Sequence, residues 1–156
     1  MDAGSLLAQA FWAGVLSAAL AVIFTVPRSA IPIAAMAGFA GRLLRDFLTG
    51  AGVDLVAAAF VASVAVTVIA ILLAPRHHLK PIVAMSALVP IGASVAAFGL
   101  VKDGLRIANE PAGQYGSGAA TALASNLTTL ISVTFAIALG FMIPWSLAML
   151  HPRRRR

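Results

Sequence analysis

Arg42 and Arg45 stand three residues apart in an otherwise apolar stretch. On a helix this spacing puts both guanidinium groups on one face. Planar guanidinium forks hold carboxylates through paired hydrogen bonds. An arginine at membrane depth is costly and usually faces a cavity, where it serves a function. The competing reading is an interfacial position, with both side chains snorkelling to headgroups and Asp46, four residues after Arg42, neutralising part of the charge. Pro90 and Gly92 are the second feature. A proline inside a helix removes one backbone bond and frees the carbonyl four residues back, here that of Ser86. Transporters use such broken helices to bind solutes, although a packing kink has the same sequence signature. The third is Asn126, set among Thr121, Ser125, Thr128, Thr129 and Ser132. Thr121, Ser125, Thr128 and Ser132 share a helix face, from which Asn126 points about 100° away. Such groups line a polar path, or bond to their own helix or to a neighbour. Arg42, Arg45, Pro90, Gly92 and Asn126 are therefore the candidate substrate-binding residues. The adjacent His77 and His78 lack the spacing of a helical metal site and read as a solvated turn, as does His151. No nucleophile, paired acid and base, nucleotide loop or metal cluster converges, so no enzyme, cofactor or metal is expected.

These residues must be positioned by helices in a membrane. The chain is 61% hydrophobic and 10% charged over 156 residues, too few charges for the polar shell of a soluble domain. Apolar runs of about 20 residues match a hydrocarbon core of about 30 Å. They lack period-2 alternation, which favours helices over a barrel. The sequence predicts an all-α integral membrane protein. It is a single transmembrane helical domain over residues 1–156, a bundle of about five hydrophobic helices with four to five spans. The helices are expected at residues 6–26, 31–49, 53–74, 81–101 and 119–150. The fourth is broken near residues 90–92, the loop lies at 102–118, and the last helix breaks at Gly140 and Pro144. In the second segment, Gly38 and Gly41 share the arginine face, while Met36, Phe39, Leu43 and Phe47 lie opposite. In the third, Asp54 is placed as an N-cap, and Ala59, Ser63, Thr67 and Ala70 form a small-residue stripe suited to close packing.

The net charge of +6 comes from basic residues between and after the apolar runs. That is a topology signal rather than a nucleic-acid surface. The arginines at 153–156 place the C-terminus in the cytoplasm and suit anionic lipid. Five spans would put the N-terminus outside, Arg28 and the 76–80 turn inside. Four spans would leave the second segment at the surface. The N-terminus lacks the basic region of a cleaved signal peptide, so the first helix is expected to be retained. Without cysteine there is no disulfide framework.

In this arrangement the chain resembles the threonine/serine exporter family in its small-subunit, C-terminal-half form. The resemblance rests on Val26-Pro27, the G-x-x-G-x-x-x-R of Gly38, Gly41 and Arg45, Gly52 with Asp54, Pro90, then Asn126, Gly140 and Pro144, and a basic tail. Gly38, Gly41, Gly140 and Pro144 would serve packing or hinging. The chain departs from the family where proline is usually followed at once by glycine and soon by tyrosine. It has Pro90-Ile91-Gly92 and then Ala93-Ser94-Val95-Ala96. The resemblance implies export of a small carboxylate-bearing metabolite, an amino acid such as threonine or serine or a C4 dicarboxylate such as succinate. It also implies a larger membrane subunit as partner and a bacterial inner membrane as location. A homo-oligomeric pore and a non-transporting scaffold are the rival functions. A pore would work alone, and a scaffold would tolerate changes at Arg45 and Pro90.

Overall fold

The computed structural model describes residues 3–74, 76, 79–92, 94–109 and 117–150. Among these residues six α-helices follow in order: α1 (Ala3–Ile23), α2 (Ile31–Gly50), α3 (Leu55–Leu73), α4 (Lys80–Leu88), α5 (Ser94–Asn109) and α6 (Ser117–Leu150). A 3₁₀ turn, Val89–Ile91, continues α4. Among the described residues there is no strand. The turn at His77 and His78, most of the expected loop, and the tail with His151 lie outside the described residues.

Local chemistry explains where the first helices stop. After α1, Thr25 takes a left-handed φ of 56°. Val26 N–H then reaches back to Ala21 O at 2.9 Å, and Thr25 N–H to Val22 O at 3.0 Å. This bond pair closes a Schellman cap, and Pro27 cannot resume the helix. Gly52, at φ 88°, makes the same cap for α2 without a Cβ penalty, with Val53 N–H on Leu48 O at 3.0 Å. Asp54 caps α3 as expected, its carboxylate accepting from Val56 N–H at 2.9 Å.

The small-residue stripe of α3 is fully buried at Ala59, Ser63, Thr67 and Ala70. α2 lies against α1, α3, α4 and the 3₁₀ turn, while α6 packs on α3 and α5. The interior is built mostly from alanine, serine and glycine. Many large apolar side chains, among them Trp12, Phe98, Phe135 and Leu150, point outward. This is the inside-out distribution of a bundle that meets lipid, where small residues bring helices close.

α1, α3 and α6 are each long and apolar enough to cross a membrane. α4 and α5, bent by 51° at the break, make a fourth crossing if counted as one span. α2 has 20 residues, about 30 Å at 1.5 Å per residue, but carries Arg42, Arg45 and Asp46. The fourth segment is thus broken where proline and glycine predict.

Two boundaries differ from expectation. Residues 102–109 are helical rather than loop, because Gly99, Asp103 and Gly104 stand at helical spacing against Asn126 and Leu123 of α6. α6 runs unbroken through Gly140 and Pro144. Gly140 is a packing site: a Cβ there would overlap Ser63 Oγ and lie 2.8 Å from Phe60 O. Pro144 withdraws only one hydrogen bond from a 34-residue helix.

Candidate functional site at the broken helix

Two glycines bring α2 into the bundle. A Cβ at Gly38 would overlap Ser17 Oγ of α1 and lie 2.7 Å from Ser17 Cβ. A Cβ at Gly41 would overlap the side-chain ends of Ile91 and Val66. One turn further, Arg45 faces the same way and meets the end of the 3₁₀ turn. The predicted faces of α2 are observed: Gly38, Gly41, Arg45 and Asp46 are buried, and Met36 and Phe47 are exposed.

Pro90 has no N–H, so the backbone tightens into the 3₁₀ turn, which closes with Gly92 N–H on Val89 O at 3.1 Å. The break turns the carbonyls of residues 90–92 toward α2. Arg45 Nη1 donates to Ile91 O at 2.6 Å and to Gly92 O at 3.2 Å. Its other edge holds Asp46: Nη2 donates to Oδ1 at 2.9 Å and Nε to the same oxygen at 3.1 Å. Arg42 takes the second carboxylate oxygen, Nε to Oδ2 at 2.6 Å. Arg42 Nη2 also donates to Gln9 Oε1 of α1 at 2.8 Å, while its Nη1 is a long 3.5 Å from Pro90 O.

Arg45 and Asp46 are only 7% and 6% exposed. Buried charges persist when they are paired and hydrogen-bonded, and the cluster meets that condition. Two guanidinium groups and one carboxylate leave one net positive charge. Arg45 is committed to the break on one edge and to Asp46 on the other. Arg42 also holds Asp46, but its outer edge meets a neutral amide and one long contact.

Four of the five candidate residues thus come together: Arg42, Arg45, Pro90 and Gly92. Asn126 does not join them. Its Nδ2 donates to Asp103 Oδ2 at 2.9 Å, linking α6 to α5. Gly99 makes room for it, since a Cβ there would lie 2.6 Å from Asn126 Nδ2. Among the hydroxyls of α6, Thr128 bonds back to Ala124 O at 2.9 Å.

Sequence reasoning missed Gln9 and Asp103 as partners. Gln9 is the single amide in the apolar first segment, a signal that was there to read. Asp103 was hidden in the stretch expected to be a loop. Among the described residues no group of three or more His, Asp or Glu residues could hold a metal.

Beside the break runs a groove of about 440 Å³. Met85, Leu88, Val89 and Gly92 form one wall, and Thr134, Ile137, Ala138, Phe141 and Met142 of α6 the other. Its lining is almost wholly apolar, and Gly92, at the end of the break, belongs to it.

Residues 9–147 match the family described as Threonine/Serine exporter, ThrE. The match begins at Gln9, takes in the whole arginine cluster and the break, and ends near the close of α6. No curated protein and no solved structure gives a match. The family is one of transporters, not enzymes, and its export function agrees with apolar helices that make this a multi-pass membrane protein. The chain belongs to the threonine/serine exporter family.

Proposed function

We propose that this chain is the small subunit of a two-component secondary exporter in a bacterial inner membrane, working with a larger membrane subunit. Its cargo is a small carboxylate-bearing metabolite, a threonine- or serine-like amino acid or a C4 dicarboxylate such as succinate. The observation that carries the reading is the net positive cluster of Arg42, Arg45 and Asp46 against the broken helix. A carboxylate is its natural complement, because one anion would neutralise the charge left over. Arg42 is the arm for the substrate: its contact with Pro90 O is long and its amide partner is neutral, so a carboxylate can displace both. Arg45 holds the carbonyls of Ile91 and Gly92 and keeps the break in shape. Asn126 serves at a distance, by fixing α5, the helix that leaves the break, through Asp103. The groove at Gly92 supports access to the backbone at this point. Five short-looped segments leave little room for an alternating pathway, which supports a second subunit.

The test is reconstitution. The purified chain in liposomes should move no labelled threonine or succinate. A tagged copy drawn from native membranes should bring a larger membrane subunit with it. Movement of either solute by the chain alone would refute the two-component reading and identify a pore.

A further inference from the structure

Asp46 does more than neutralise a neighbour. Its two oxygens are divided between the two arginines, Oδ2 to Arg42 and Oδ1 to Arg45. Its side chain is only 7% exposed. The other acids among the described residues are engaged elsewhere, Asp54 at the start of α3 and Asp103 against Asn126. Asp46 is therefore the one acid that sets the charge of the cluster. Around it stand further acceptors, Pro90 O and Gln9 Oε1, each touching Arg42. A solute whose carboxylate took Arg42 would have the Asp46 carboxylate and these acceptors as its neighbours on that guanidinium.

We infer that Asp46 selects the charge class of the solute, favouring one that carries an ammonium beside its carboxylate over a dianion. The inference rests on the exporter site proposed above. An ammonium beside the carboxylate meets Asp46 and the carbonyl of Pro90 with attraction. A second carboxylate in the same place meets like charge, which is a repulsive device of specificity. Replacing Asp46 by a neutral isostere leaves two positive charges and removes the repulsion.

The experiment replaces the native copy in its own cells and follows efflux of labelled threonine and labelled succinate from the same cells. The readout is the ratio of the two, which does not depend on how much protein reaches the membrane. Asp46→Asn should raise the succinate-to-threonine ratio roughly tenfold, the effect of one charge pair turned from repulsion to neutrality. Asp46→Glu conserves the charge and should hold the ratio within about twofold of wild type. An unchanged ratio in Asp46→Asn overturns the inference, as does a shifted ratio in Asp46→Glu. The Glu variant decides alone if the Asn variant fails to insert. Arg42→Ala separates the two levels. If it leaves export of both solutes intact, the site itself is wrong. If it stops export while Asp46→Asn keeps the wild-type ratio, only the role of Asp46 falls.

Discussion

Removal of Arg45 is the sharpest test of the site. Arg45→Ala deletes two charge-assisted bonds to Ile91 O and Gly92 O, at 2.6 and 3.2 Å, and two more to Asp46. Asp46 keeps Arg42 through Nε at 2.6 Å, so its charge stays partly compensated. Ile91 O and Gly92 O lose the donor they share. A buried acceptor left without a donor costs about 1–3 kcal/mol, a cost that falls on Ile91 O, while Gly92 O is only partly buried and costs less. Even the low end raises the population in which the break opens by about fivefold. The chain has no cysteine, which makes a reporter clean. Ile91→Cys, at a position fully buried beside Gly41, should react slowly with a maleimide in the Arg45 background and much faster with Arg45→Ala. Export, normalised to inserted protein, should fall strongly in parallel. Arg45→Lys should restore only part of both, because an ammonium cannot span Asp46 and two carbonyls as a planar fork does. An arginine that merely snorkels would be fully replaced by lysine. Unchanged labelling and full export in Arg45→Ala would refute the reasoning, and full activity of Arg42→Ala and Arg45→Ala, singly and together, would end substrate binding by this face.

Gly140→Ala should loosen the α3–α6 contact by about 1–3 kcal/mol, the usual cost of overpacking, read as a lower unfolding temperature in detergent. Ser63→Ala should relieve only part of it, because Phe60 O, 2.8 Å from the new Cβ, is backbone and cannot swing aside; a stability unaffected by Gly140→Ala would disprove the close packing. A C-terminal reporter should behave as cytoplasmic, given the arginines at 153–156. An N-terminal reporter should behave as external if α2 crosses, while an internal one would leave α2 as a helix that does not cross.

Much of the fold was legible because the first three helices mark their own boundaries. Asp54, Gly52 and Pro27 mark boundaries by local chemistry, and the caps appear where those residues stand. The interior of α2 was legible by face alone: Gly38, Gly41 and Arg45 share a stripe, and that stripe is buried. What sequence could not supply was the partner across the bundle. Arg45 and Ile91 are 46 residues apart, and nothing in either segment names the other. The same limit applied to Asn126, whose partner Asp103 lies in a stretch that composition marked as loop. Polarity was read there as loop, although Gly99 and Asp103 stand at helical spacing and both meet Asn126. At Gly140 and Pro144 the residue types were read as a break. A long helix with most of its hydrogen bonds intact tolerates one proline, and the glycine answers a neighbour rather than its own backbone.

The broken helix and the buried arginines solve each other's problem. In an apolar setting, carbonyls freed near Pro90 need donors, and an arginine needs acceptors and a counter-charge. Arg45 meets the carbonyls of Ile91 and Gly92 on one edge and Asp46 on the other, so each costly feature is compensated by the other two. This makes the cluster interdependent: loss of one member exposes the others, and the effects of separate substitutions should not add. It also explains how a site can be stable and yet available. The Arg45–Asp46 core is closed on itself and holds the break in place. Arg42 shares Asp46 through Nε, while its two Nη atoms meet one neutral amide and one distant carbonyl. A charge center that leaves the outer edge of one guanidinium to neutral partners suits the proposed carrier, whose solute must be held without being held permanently.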